Sequence, residues 1–284
     1  PYGLRSIIFS GFTHPAFHNV GEYTYNQQPM LLQVVGGTDR IPHAFAERIG
    51  QENIRYGAEV TEIKQSAAGS SVVYRQNGGR QKLLNADFCV CTIPLPVLKK
   101  IKTSLSAGVK DAVNSIDYMK TGKIGMQFKR RFWEEDDAIF GGISKTNMSI
   151  TQIFYPSNGF LSKKGVLKGY YNFHRQAEEL GDLSLKGRQE RALAEGGKIH
   201  PQYAEEFENS FSLAWHKIKY SEGGWADFTE ETRQKHYPAL QEPDGNIYFA
   251  GEHTTYLTAW MAGAFLSAQR VVEQIHQRVN KAGN

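Results

Sequence analysis

Apolar and polar positions alternate most regularly in the middle of the chain. In the stretch 123–128, Ile124, Met126 and Phe128 fall on one side and Lys123, Gly125 and Gln127 on the other, the period of a half-buried strand. The stretches 140–144, 149–155 and 166–173 have a similar make-up, so this region reads as an antiparallel sheet. Earlier, Ala58, Val60 and Ile63 mark a strand over 58–63, and Val72-Val73-Tyr74 a second. Asn77-Gly78-Gly79 is a hairpin signal, because both central residues of a tight hairpin turn take positive φ. Phe88-Cys89-Val90-Cys91-Thr92 is an unbroken apolar run that Pro94 and Pro96 end, as expected of a strand covered on both faces.

Helical spacing appears in five places. Asp39 suits an N-cap, Pro42 an early helical position and Gly50 a stop, with Phe45 and Ile49 four residues apart between them. The stretches 106–116, 185–196 and 202–210 read as helices, with a strand expected over 211–216. The last helix is expected over about 258–280, its inward face carrying Ala264, Ala268, Val271 or Val272, and Ile275. Residues 1–33 are aromatic and irregular and read as short helices and loops.

Composition adds exclusions. The chain has 284 residues and a net charge of +4, enough for one large domain or two. No dense Lys/Arg run supports a nucleic-acid partner. Apolar stretches of about ten residues are too short to span a bilayer, so no membrane partner is expected. No signal peptide is visible at Pro1, and a cytoplasmic location is slightly favoured. Cys89 and Cys91, two apart on one strand, read as reduced core residues. His174, His216, His236 and His253 lack metal-ligand spacing, so no metal is expected.

The most specific chemistry lies near the end. Ile247-Tyr248-Phe249-Ala250-Gly251-Glu252-His253 reads as a buried strand with a carboxylate past its end. Thr258-Ala259-Trp260-Met261-Ala262-Gly263-Ala264 then opens a helix on small residues. Such a layout can grip a flavin. Glu252 would meet a sugar hydroxyl, and the helix start offers free N–H groups and partial positive charge.

Four segments in order now carry a resemblance: Gly36-Gly37-Thr38-Asp39-Arg40-Ile41-Pro42, Ala58-Glu59-Val60-Thr61-Glu62-Ile63, Lys123 with Arg131-Phe132-Trp133-Glu134, and 249–270. The chain resembles the carboxy-terminal half of flavin-dependent amine oxidases, and among them the L-amino-acid oxidases. The resemblance implies a mixed α/β fold, part of a Rossmann-like FAD domain joined to an antiparallel substrate domain. It places 34–102 and 237–284 in the FAD-binding part and 103–236 in the substrate-binding part, with 1–33 in a helical or substrate region.

The family's opening strand, G-x-G-x-x-G turn and helix are not found. Gly36-Gly37, Gly141-Gly142 and Gly223-Gly224 lack that spacing or context. A separate amino-terminal fragment or chain is therefore expected to supply the phosphate cradle and a carboxylate-binding arginine, and the assembly is expected to be an oligomer.

The resemblance also implies site residues. Val60, Gly251, Glu252, Ala259, Trp260, Met261 and Ala264 would contact FAD, held non-covalently because Trp225 stands where some monoamine oxidases carry a cysteine bonded to the flavin. Lys123 would be catalytic, holding a water at the flavin. Trp225 and Trp260, with Ala259, would wall the substrate, and the hydroxyl of Tyr170 would bind its carboxylate. The implied reaction is oxidation of an L-amino acid with a bulky apolar or aromatic side chain to keto acid, ammonium and hydrogen peroxide, with O2 as acceptor. An amine or polyamine oxidase, an amino-acid monooxygenase and a non-catalytic flavoprotein subunit stand as alternatives.

Overall fold

A computed structural model describes residues 32–282. The chain divides into two compact units, 1–58 and 59–284. In the first, helix α1 (Arg40–Ile49) starts with Asp39 in the N-cap position and stops at Gly50. Asp39 makes no side-chain cap bond, and α1 has no buried residue. Phe45 and Ile49, expected as its apolar stripe, are exposed.

Strands β1 (Ala58–Ser66), of which all but Ala58 belongs to the second unit, β2 (Gly69–Gln76) and β3 (Gln81–Ala86) follow. β2 and β3 pair across the Asn77-Gly78 turn, both of whose residues have positive φ. β4 (Cys89–Cys91), α2 (Leu95–Leu98), β5 (Lys102–Thr103), α3 (Ala107–Ser115) and β6 (Asp117–Tyr118) follow. β1 takes β5 in parallel, completing a four-stranded sheet in the order β3-β2-β1-β5. Leu95, Leu98, Val109, Ala112, Ile116 and Cys91 form a core that also holds Ile247 and Phe249. Helix α3 therefore packs with the strands before it.

The central sheet comprises β7 (Thr121–Phe128), β8 (Gly142–Lys145), β9 (Gln152–Tyr155), β10 (Gly165–Phe173) and β11 (Phe207–Ala214), in the antiparallel order β11-β7-β10-β9-β8. Ile124, Met126 and Phe128 are buried as the alternation requires. They share a second core with Leu167, Tyr170, Phe132, Trp133 and Tyr203.

Short helix α4 (Phe132–Glu135) carries the Arg131-Phe132-Trp133-Glu134 motif into that core. Arg131 pairs with Glu134 where both are buried. Arg131 also donates to the Asn158 carbonyl at 2.9 Å, and Glu134 accepts from the Leu161 N–H at 2.9 Å. In this chain the motif is an anchor for the loop around 158–161.

Helices α5 (His174–Asp182), α6 (Leu185–Gly196) and α7 (Tyr203–Glu206) lie between β10 and β11. Three readings change here. α5 was not expected. The helix expected over 202–210 ends at Glu206, and 207–210 instead joins the strand beginning at Phe207. Pairing of that segment with β7 overrides its local helical preference. Strand β4 is covered on one face only, since Val90 is 44 % exposed while Cys91 is buried.

The remaining elements are β12 (Ala226–Asp227), α8 (Glu230–His236), β13 (Ile247–Phe249) and α9 (Met261–Ala282). β12 pairs with β6, and β13 lies parallel to β4. α9 begins at Met261, three residues later than expected, because Ala259 has φ +69° and leaves the right-handed helical region. Its buried positions are Gly263, Ser267 and Val271, with Ile275 half-buried; Ala268 is exposed and Val272 points outward. Among the described residues, no helix is long and apolar enough to cross a membrane.

Candidate active site

The open face of the central sheet brings the first group of candidates together. Lys123 on β7 stands opposite Tyr171 on β10, and its Nζ lies 4.3 Å from the Tyr171 ring centre. Tyr171 packs on Phe173 at 4.5 Å, and Phe173 meets Trp225 edge-on at 5.9 Å. Phe154 on β9 flanks Tyr171 on the other side at 5.9 Å. The result is a row of four aromatic rings with an ammonium group over it.

Lys123 has no hydrogen-bond acceptor among the described residues, and burial pushes its pKa down. Burial also raises the Tyr171 phenol, partly offset by its bond to Thr121.

Tyr170 does not share this face. It is 1 % exposed, its hydroxyl is bonded to Ser212 Oγ at 2.6 Å, and Arg188 Nη1 donates to the same Ser212 oxygen at 3.5 Å. The reason is a bulge. The β10 register slips between Lys168 and Tyr170, so Gly169 inverts the alternation and Lys168 shares its face with Tyr171. A Cβ at Gly169 would stand 2.3 Å from Met126 Sδ and 3.0 Å from the Tyr203 hydroxyl. Tyr171, rather than Tyr170, is the tyrosine beside Lys123. A glycine inside a strand pattern is the sequence signal that marks such a slip.

The second group gathers around Glu252. Strand β13 ends at Phe249, and Gly251 takes φ +136°. A side chain there would strike the His253 ring, whose Cε1 would stand 2.5 Å from a Cβ atom. Glu252 follows in a 3-10 turn (Glu252–Thr254). One carboxylate oxygen accepts from the Ala226 N–H and the other from the Ala259 N–H, each at 3.0 Å. Tyr118 donates a third bond, yet burial still raises the Glu252 pKa.

Trp225 precedes Ala226. One residue step therefore joins the aromatic row to the Glu252 turn.

The start of α9 is fitted against that turn. Gly263 has the Leu257 carbonyl oxygen 2.3 Å and the Thr255 hydroxyl 2.5 Å from where a Cβ would be. The first N–H groups of α9 have no partner within the helix. Ala259 and Met261 are exposed beside them, and Trp260 and Ala264 are half-buried. Val60 lies half-buried in β1 against the first core.

These residues fit a flavin. They offer small side chains at a helix start, carboxylate lone pairs left over at Glu252, and an unpaired ammonium over an aromatic row.

A pocket of about 450 Å³ is lined by Tyr118, the donor to Glu252, together with Lys120, Lys217, Glu178, Asp182 and His216 among others. Two of its lysines are paired with its carboxylates, Lys120 with Glu178 and Lys217 with Asp182. Among the described residues no cluster of His, Cys, Asp and Glu could hold a metal.

Comparison with known proteins supplies the context. The family profile described as flavin containing amine oxidoreductase matches residues 7–276. The chain is 32 % identical over 255 residues to the flavin-dependent L-tryptophan oxidase RebO of Lentzea aerocolonigenes, covering 87 % of this chain and 53 % of that protein. It is 29 % identical to the L-amino acid oxidase bordonein-L of Crotalus durissus terrificus, covering 86 % of this chain and 48 % of that one. The chain thus spans about half the length of the curated relatives it matches.

Among solved structures, a putrescine oxidase variant superposes with a TM-score of 0.73 at 19 % identity. It covers 86 % of this chain and 53 % of the other. Cyclohexylamine oxidase from Brevibacterium oxydans gives the same TM-score and coverage at 16 % identity. At these identities the likeness establishes the fold.

Proposed function

The chain belongs to the flavin-containing amine oxidoreductase family, and from that membership we propose that it forms the carboxy-terminal part of an FAD-dependent L-amino-acid oxidase. The observation that carries the reading is the placement of Lys123, Tyr171 and Trp225 along one aromatic row, tied through Ala226 to Glu252. The relatives named as L-amino-acid and L-tryptophan oxidases support it.

Val60, Gly251, Glu252, Ala259, Trp260, Met261 and Ala264 would hold FAD without a covalent bond. A bound flavin would supply the hydride acceptor for the substrate α-carbon and the route for its electrons to O2. Trp225, Trp260 and the neighbouring rings orient a bulky apolar or aromatic side chain. Tyr171 takes the carboxylate role first assigned to Tyr170. Lys123, depressed by burial, holds a water and handles a proton at its Nζ atom. The companion segment that precedes this chain supplies the phosphate cradle and an arginine for the carboxylate.

The test is oxygen uptake by the flavin-loaded full-length protein. An L-amino acid such as L-leucine or L-tryptophan should be consumed with peroxide release, and its decarboxylated amine should not. Uptake with the amine alone would sink the amino-acid reading, and purified full-length protein lacking flavin absorption would sink the oxidase reading.

A further inference from the structure

Lys168 is a second ammonium on the same row. Its Nζ lies 4.0 Å from the Phe154 ring centre and 5.2 Å from that of Tyr171. Lys123 and Lys168 therefore both approach the Tyr171 ring. Neither has an acidic partner or a hydrogen-bond acceptor among the described residues. The acidic side chain on this face of β7 and β11, Glu208, is already taken by Lys164 and Gln127.

Two half-buried like charges around one ring repel each other, and cation–π contacts offset only part of that cost. The pair is a standing attraction for an anion and a barrier to a dication.

We propose that Lys168 binds a carboxylate of the substrate and so favours carboxylate-bearing substrates over those without one. The inference rests on the oxidase reading and adds a specificity residue to it. The carboxylate has two sources, the α-carboxylate shared by all amino acids or a second carboxylate in the side chain. The shared chemistry is an ammonium–carboxylate hydrogen bond, which is among the stronger kinds. Burial and the charge of Lys123 push Lys168 down to about 8, consistent with a site that lacks its counter-ion.

The experiment compares wild type, Lys168→Gln and Lys168→Arg in the flavin-loaded full-length protein, with L-leucine, L-glutamine and L-glutamate as substrates. Lys168→Gln should raise KM at least about tenfold, more than it lowers kcat, and Lys168→Arg should restore most of the loss. A rise shared by all three substrates assigns Lys168 to the α-carboxylate. A rise confined to L-glutamate assigns it to a side-chain carboxylate. Unchanged KM for all three overturns the proposal.

A binding titration with glutarate, followed by flavin absorbance, gives a readout that does not need turnover. Weaker glutarate binding in Lys168→Gln upholds the anion site even if the wild type proves to oxidise only amines. Equal binding overturns it. Unchanged melting temperature and flavin content confirm that the variants are folded.

Discussion

Glu252 is bonded to the backbone N–H of Ala226, the residue that follows Trp225. The carboxylate at the end of β13 thereby fixes the position of the aromatic row's terminal ring as well as its own turn. Removing it leaves the N–H groups of Ala226 and Ala259 without their acceptor. Glu252→Ala should cost about 2–4 kcal/mol in denaturant unfolding, the scale of two bonds to a charged group in a partly buried site, and should lower flavin retention. Glu252→Gln keeps one acceptor oxygen and should lose less of both.

The two adjacent tyrosines should separate cleanly. Tyr171→Phe should raise KM for amino acids while leaving the melting temperature close to wild type. Tyr170→Phe breaks the 2.6 Å bond to Ser212 in the core and should cost about 1–2 kcal/mol of stability, with KM unaffected. The opposite pattern in steady-state kinetics would return the carboxylate role to Tyr170.

Lys123→Met removes an ammonium that has no acidic or hydrogen-bonding partner among the described residues, so folding should tolerate it. Stopped-flow measurement of flavin reduction and reoxidation should show at least one half-reaction slowed by about tenfold or more. Both rates unchanged would remove Lys123 from the chemistry.

His253 predicts an acid limit. Burial, with Arg270 nearby, depresses its pKa to about 4, and its Nε2 has no hydrogen-bond partner among the described residues. The unfolded chain binds this proton from about pH 6.5 downward, whereas the folded chain resists until about 4. The stabilising contribution of neutral His253 is present above pH 6.5 and is lost as pH falls through 4, amounting to about 3 kcal/mol at pH 4. Melting temperatures between pH 7 and 4 should fall less steeply in His253→Gln than in wild type.

Substrate affinity should fall on the alkaline side. Lys168 with a pKa of about 8 is charged below that value and neutral above it. KM for the carboxylate-bearing substrate should therefore rise as pH passes through 8, and Lys168→Arg should shift that rise to higher pH. A wild-type KM flat from pH 7 to 9 would contradict this.

Local chemistry settled much of the architecture. The alternation of Ile124, Met126 and Phe128, the Asn77-Gly78 turn and the run before Glu252 each specify their element through contacts only a few residues apart. They lead to the mixed α/β fold and to the flavin-family motifs without reference to distant parts of the chain. What the tertiary structure decided lies where long-range pairing competes with local pattern. Pairing with β7 turned Phe207 and its neighbours from helix to strand. The bond from Ala259 to Glu252 held the last helix back to Met261. Above all, the slip at Gly169 exchanged Tyr170 for Tyr171 and set Lys168 beside Lys123. A strand's two faces differ by a single residue, so parity along β10 is fixed by its neighbours in the sheet and not by its own letters.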